Sequence, residues 1–289
     1  MSRLSLLDGR LLALVALFGG VASGVALKRI HTMPAGEAIA LRSALAFLVI
    51  TGIAMARPRK TPRITGLPGI LRATLDALAA LTFSLAIFEI PLSMLASIHA
   101  TLPVLSVILS GVVLKERLQA GNWLALLLAG TGTLLVIQPE LAFSPYGVAL
   151  ALISTLAYAC RDLLTRKLPA HTDTLRLSQL SLIMVGVTAA VLSSDQPWIC
   201  PEAMHVVLIT IAALGFVAAN VLIIIALRRT ELSRIAPLRY SSILWSLIFD
   251  ALLWDYLPDL AGVCGIALIL SAGIIQLQTD SPKAPEVAP

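Results

Sequence analysis

The chain has 289 residues, 58% hydrophobic and only 13% charged, with a mean hydropathy of +0.93. Soluble domains carry about 25% charged residues, so this composition excludes a water-facing globular fold and requires most side chains to meet lipid or other helices. The net charge of +5 does not mark a nucleic-acid binder, because the basic residues sit in short connections between apolar runs and form no stripe interleaved with aromatics.

Arg3 and Arg10 precede the apolar run Leu11–Leu27 in the manner of a secretory signal. The run continues past Gly19 and Gly20 without an A-x-A-like stop, however, and reads as a first membrane helix. Nine more runs follow, at Ala35–Ala56, Ile70–Phe88, Leu92–Leu114, Trp123–Ile137, Tyr146–Leu164, Leu175–Leu192, His205–Leu227, Ile235–Trp254 and Leu260–Leu277. A backbone in lipid must satisfy its own hydrogen bonds, so each run long enough to span is expected to be a helix. The proline-rich segment 281–289 predicts a disordered tail. Cys160, Cys200 and Cys264 are scattered, with no CxxC and no histidine at ligand spacing, so neither a metal site nor a disulfide framework is expected.

With both termini placed in the cytoplasm, only Lys28 and Arg29 fall outside and Arg42 and Arg239 within spans. The rest of the 21 lysines and arginines fall on the inner side. That asymmetry predicts a multi-pass protein of the bacterial inner membrane with both ends inside.

The two halves repeat. Gly9 corresponds to Gly147, Lys28-Arg29 to Arg166-Lys167, Leu92-Ser93 to Leu232-Ser233, Gly121 to Gly262 and Gly132 to Gly273, all at a spacing of about 140 residues. The expected fold is therefore an all-α integral membrane protein of ten transmembrane helices, arranged as two inverted five-helix repeats around a central cavity. Residues 1–138 form the first repeat and 139–280 the second. Five spans are an odd number, so the second copy enters the membrane from the opposite side, as in many transporters.

A proline inside the fourth run, in Ser97-Ile98-His99-Ala100-Thr101-Leu102-Pro103, is followed by Leu114-Lys115-Glu116-Arg117-Leu118 and a glycine-rich fifth run. The second half has Ile235-Ala236-Pro237-Leu238-Arg239-Tyr240, Leu257-Pro258-Asp259 and the Gly262 to Gly273 stretch. This pattern resembles the drug/metabolite transporter superfamily, specifically its EamA-type members, over about residues 9–278. The nearest resemblance within it is to the YddG-type amino-acid exporters, which implies export of neutral and aromatic amino acids such as threonine, methionine and phenylalanine. Asp255 stands where the family often has a glutamate, which leaves the role of that acid open.

Ionisable groups inside a bilayer are costly unless they face a bundle interior or a wet cavity. His99, Pro103, Ser106 and Ser110 share one helical face, and the repeat spacing maps them onto Arg239, Ile243, Ser246 and Asp250. These stripes are candidate walls of the cavity, with His99, Arg239, Ser106 and Ser246 as substrate ligands and Tyr240, Trp245 and Tyr158 as aromatic lining. An arginine there suits a carboxylate. Depth along the spans matches Asp76 with Arg239 and Arg42 with Asp250, two candidate gating or coupling pairs, and Pro103 is a candidate hinge. Sparse intramembrane charge predicts a neutral or zwitterionic cargo. No Walker A pattern occurs, no cofactor is implied, and dispersed histidines with no acidic cluster argue against an embedded enzyme. The expected partners are a small-molecule substrate and membrane lipid, with no nucleic acid, and a monomer is expected. Export of drugs or other metabolites is the alternative within the carrier class.

Overall fold

The computed structural model describes residues 9–56, 66–115, 118–137, 144–168, 172–227 and 236–280. The proposed tail, the basic residues Arg57, Arg59, Lys60 and Arg63, and Leu232-Ser233 lie outside these residues. Among the described residues the secondary structure is helical: α1 (Gly9–Arg29), α2 (Ala35–Met55), α3 (Gly66–Glu89), α4 (Leu92–His99), α5 (Leu102–Leu114), α6 (Ala120–Ile137), α7 (Pro145–Lys167), α8 (Thr174–Leu192), α9 (Ala203–Leu227), a 3-10 turn (Ala236–Tyr240), α10 (Ser241–Trp254) and α11 (Leu260–Asp280). Nine spans among them are long and apolar enough to cross a membrane, counting α4 and α5 as one. The 3-10 turn and α10 together supply the tenth.

The fourth and ninth runs, expected as single helices, are each broken at the same place in the repeat. In the fourth, Pro103 has no N–H to continue the ladder. The chain tightens at Ala100 and Thr101, where Thr101 N donates to Ile98 O over 3.2 Å and Thr101 Oγ1 to the same carbonyl over 2.7 Å. The ninth changes from 3-10 to α at Tyr240–Ser241. The two halves also end these spans alike, with Lys115 (φ 56°) and Asp255 (φ 50°) both in the left-handed region that caps a helix.

Inversion is visible in the packing. α1 lies on α9, α2 on α8, α3 on α7 and α6 on α11, a pattern that exchange of the halves leaves unchanged, and α4 packs on α10. Ser23 Oγ donates to Ala212 O (2.6 Å) while Thr32, just beyond the end of α1, reaches His205 (2.7 Å), so α1 and α9 are antiparallel. Likewise Ser154 of α7 donates to Ala79 O (3.0 Å) and Arg161 to Asp76 (2.7 Å), which sets α7 against α3. Successive spans alternate in direction, so α7 also runs against α1, its counterpart in the first half.

Small residues permit this close packing. A Cβ on Gly132 would stand 2.6 Å from Gly265 O, and one on Gly265 would stand 2.6 Å from Gly132 O, so α6 and α11 touch backbone to backbone. Without a hydrophobic drive between helices in lipid, such contact supplies dispersion and lets the spans associate. The outer surface is apolar: Leu127, Leu134, Leu252 and Leu260 are 67%, 67%, 74% and 81% exposed, as a lipid-facing girdle requires.

Candidate functional site

Between the halves lies a cavity of about 310 Å³, in the range of pockets that hold small organic molecules. α1, α2, α3, α4 and the start of α5 wall it from the first half, and α7, α9, the 3-10 turn and α10 from the second; α6, α8 and α11 contribute nothing to its lining. Small residues on α1, including Gly20 and Gly24, leave the space that the aromatic groups of other helices edge.

The two helix breaks put polar groups on this wall. His99, the last residue of α4, and Arg239, in the 3-10 turn, both line the cavity, together with Pro103, Tyr158, Tyr240, Ser242 and Ser246. His99 sits in an aromatic bracket, its ring centroid 5.1 Å from Phe83 and 5.1 Å from Tyr158, both edge-on. Its Nδ1 is 3.4 Å from Thr155 Oγ1. Tyr158 in turn lies under the Arg161 guanidinium, 4.5 Å from its Cζ, a cation–π contact. A cleft of about 20 Å³ beyond Tyr158, Phe216 and Asn220 reaches Asp76.

Several sequence-derived candidates take other positions. Ser106 is buried off the cavity wall, with its hydroxyl unpartnered among the described residues. Trp245 also lies off the wall, edge-on to Phe18 at 5.3 Å, because the α10 face that meets α1 is rotated away from Ser242 and Ser246. The matched-depth charge pairs do not form in this conformation. Asp76 is taken by Arg161 at 2.7 Å and Arg72 at 3.3 Å. Asp250 caps α4 instead: its Oδ2 accepts from Ser93 N and Ser93 Oγ, both 2.6 Å, and its Oδ1 from Leu92 N at 3.2 Å. Helix N-termini leave N–H groups unsatisfied and carry partial positive charge, so a carboxylate from the other half is a strong tie there. Beside it Lys28 donates to Ile90 O (2.7 Å) and lies 5.0 Å from the Trp254 ring, closing this end of the bundle.

Arg161 and Arg72, counted in the sequence among the basic residues of the inner side, take part in the packing between the halves. Both belong to helices, Arg72 is buried, and Arg161 lines the cavity with its other edge on Asp162 at 2.6 Å. The signal was present, since Arg161 follows Tyr158 by three residues and so shares its helical face. Phe83, Phe216 and Asn220 also line the cavity and were not anticipated. Three arginines, Arg42, Arg161 and Arg239, thus face the space, and no aspartate or glutamate among the described residues does.

A sequence profile of the EamA-like transporter family matches residues 8–138 and again residues 145–277, one copy per half. The chain belongs to the EamA-like transporter family. Members and relatives are transporters rather than enzymes. The pseudopaline exporter CntI of Pseudomonas aeruginosa is 26% identical over 284 residues, 94% of this chain and 96% of the relative. An uncharacterized transporter of Helicobacter pylori is 24% identical over 213 residues, 71% of each chain. A solved crystal structure superposes with a TM-score of 0.65 at 16% identity, covering 95% of this chain and 96% of its own, and shares the fold. Within the family frame, the polar groups at the two helix breaks stand where the inverted halves meet, which is where carriers of this architecture hold their cargo.

Proposed function

We propose that this EamA-like transporter exports small amino-acid-type solutes from the cytoplasm by alternating access, as a monomer in the bacterial inner membrane with both termini inside. One observation carries the reading: Arg239 stands on the cavity wall with His99, Tyr158 and Tyr240, a carboxylate-binding fork beside an aromatic and apolar surface. An amino acid presents that combination, and the resemblance to YddG-type exporters points the same way. The relative named as a pseudopaline exporter supports outward export of a small metabolite. Cationic drugs fit poorly, because three arginines and no acid line the space. Because the halves are inverted copies, exchange of their conformations moves the cavity's access from one face to the other.

The test is uptake and counterflow in proteoliposomes with a panel of labelled amino acids, with and without a proton gradient. Saturable counterflow of threonine, methionine or an aromatic amino acid is the expected result. Failure of all of them, as substrates and as competitors, removes the amino-acid assignment.

A further inference from the structure

The cavity holds more positive charge than one amino-acid carboxylate calls for. Arg161 is committed to Asp76 and Asp162, at 2.7 Å and 2.6 Å, and Arg239 suffices for one α-carboxylate. Arg42 is left. It forms part of the cavity wall from α2 and is 3% exposed, and its Nε and Nη2 are buried without hydrogen-bond partners among the described residues. Its guanidinium rests 5.0 Å from the centre of the Phe216 ring, a weaker partner than an anion. Glu37, the acid nearest in sequence, accepts from Ile199 N (3.1 Å).

A guanidinium keeps its charge across the physiological range, and a buried charge with no counterion bears a desolvation penalty that an arriving anion relieves. Nε and Nη2 are the two donors of one edge, the fork that takes a carboxylate through two parallel hydrogen bonds. We propose that this edge of Arg42 is a second anion subsite, and that the exported solute carries a second carboxylate for it besides the one assigned to Arg239. The edge is shut off from solvent in this conformation, so the guanidinium swings from Phe216 into the cavity as the anion arrives. Arg42 belongs to the first half and Arg239 to the second, so a diacid ties both halves to one solute, whereas a monoacid engages only one. This rests on the carrier reading and adds to its substrate class a preference for amino diacids over their neutral analogues.

Thermal stabilisation of the purified protein in detergent by glutamate and by α-aminoadipate, each against its side-chain amide, tests the subsite without requiring transport. The wild type is expected to be half-stabilised at about tenfold lower concentration of diacid than of amide. Arg42→Gln is expected to erase that preference while leaving stabilisation by the amide, and Arg42→Lys to retain part of it. Equal response of the wild type to diacid and amide overturns the proposal even if the variants do not fold, and so does an undiminished preference in a folded Arg42→Gln protein. Counterflow in proteoliposomes with the same pairs separates the two readings. Diacid-selective binding with no counterflow of any solute would sink the carrier reading alone, whereas counterflow of neutral amino acids with no diacid preference would sink the second subsite alone.

Discussion

Asp250→Asn isolates the tie between the halves at the end of the bundle where α1 stops. The carboxylate receives three hydrogen bonds from the first turn of α4, two on Oδ2 at 2.6 Å and one on Oδ1 at 3.2 Å. An asparagine keeps a single oxygen, so its NH2 group must face at least one donor, and the bonds that survive lose their charge. Hydrogen bonds to charged groups contribute about 1.5–3 kcal/mol each, so loss of one of them alone weakens the tie by at least about 2 kcal/mol. If opening this end breaks the tie, the ratio of closed to open protein falls roughly thirtyfold. The assay is the rate at which an impermeant maleimide, added from that face, labels Ala96→Cys in a background lacking Cys160, Cys200 and Cys264. Labelling should accelerate by that order in Asp250→Asn. An unchanged rate in a protein that unfolds at the wild-type temperature would refute the idea that Asp250 holds this end shut.

Gly132→Ala places a methyl group 2.6 Å from Gly265 O and 2.9 Å from Ile269, and should cost about 1–3 kcal/mol of stability in thermal unfolding. Because α6 and α11 line no part of the cavity, solute selectivity in counterflow should not change. Asp76→Asn leaves the Arg161 guanidinium with Asp162 alone, and should lower thermal stability by about 3 kcal/mol. The reversal Asp76→Arg with Arg161→Asp should recover part of what each single reversal loses; no recovery in the double variant would show that their contact is not a stabilising pair. His99→Ala removes two edge-on aromatic contacts, each of about 0.5–1.5 kcal/mol, and should raise the counterflow KM roughly tenfold.

Much of the fold was legible because lipid leaves the chain few choices. Apolar runs of spanning length must be helices, and the observed helices begin and end within a few residues of them. The repeat was legible from glycines and basic pairs, and the break at Pro103 from the missing N–H. Its counterpart at Tyr240 was not, because no residue there forbids an α-helix. In the site, spacing and the repeat marked His99, Arg239 and Ser246, which line the cavity, and Tyr158 and Tyr240, named for their aromatic character, line it too. Spacing fixes a helical face but not which neighbour it meets, so Ser106, from the same stripe, lies off the wall. Matched depth likewise proved too coarse to assign ion pairs. Asp76 could reach several arginines at its level, and Arg161, counted only as an inner-side charge, projects from the helix packed against it. Asp250 found backbone N–H groups, which no charge count reveals.

The central claim is that the solute crosses through the cavity between the inverted halves. Ala219→Cys places a thiol on the α9 wall of that cavity, and Leu127→Cys places one on a surface that is 67% exposed toward lipid. In a background lacking Cys160, Cys200 and Cys264, a bulky maleimide at Ala219→Cys should abolish counterflow, bound solute should slow the modification, and the same label at Leu127→Cys should leave counterflow intact. Undiminished counterflow with Ala219→Cys fully modified would contradict the account.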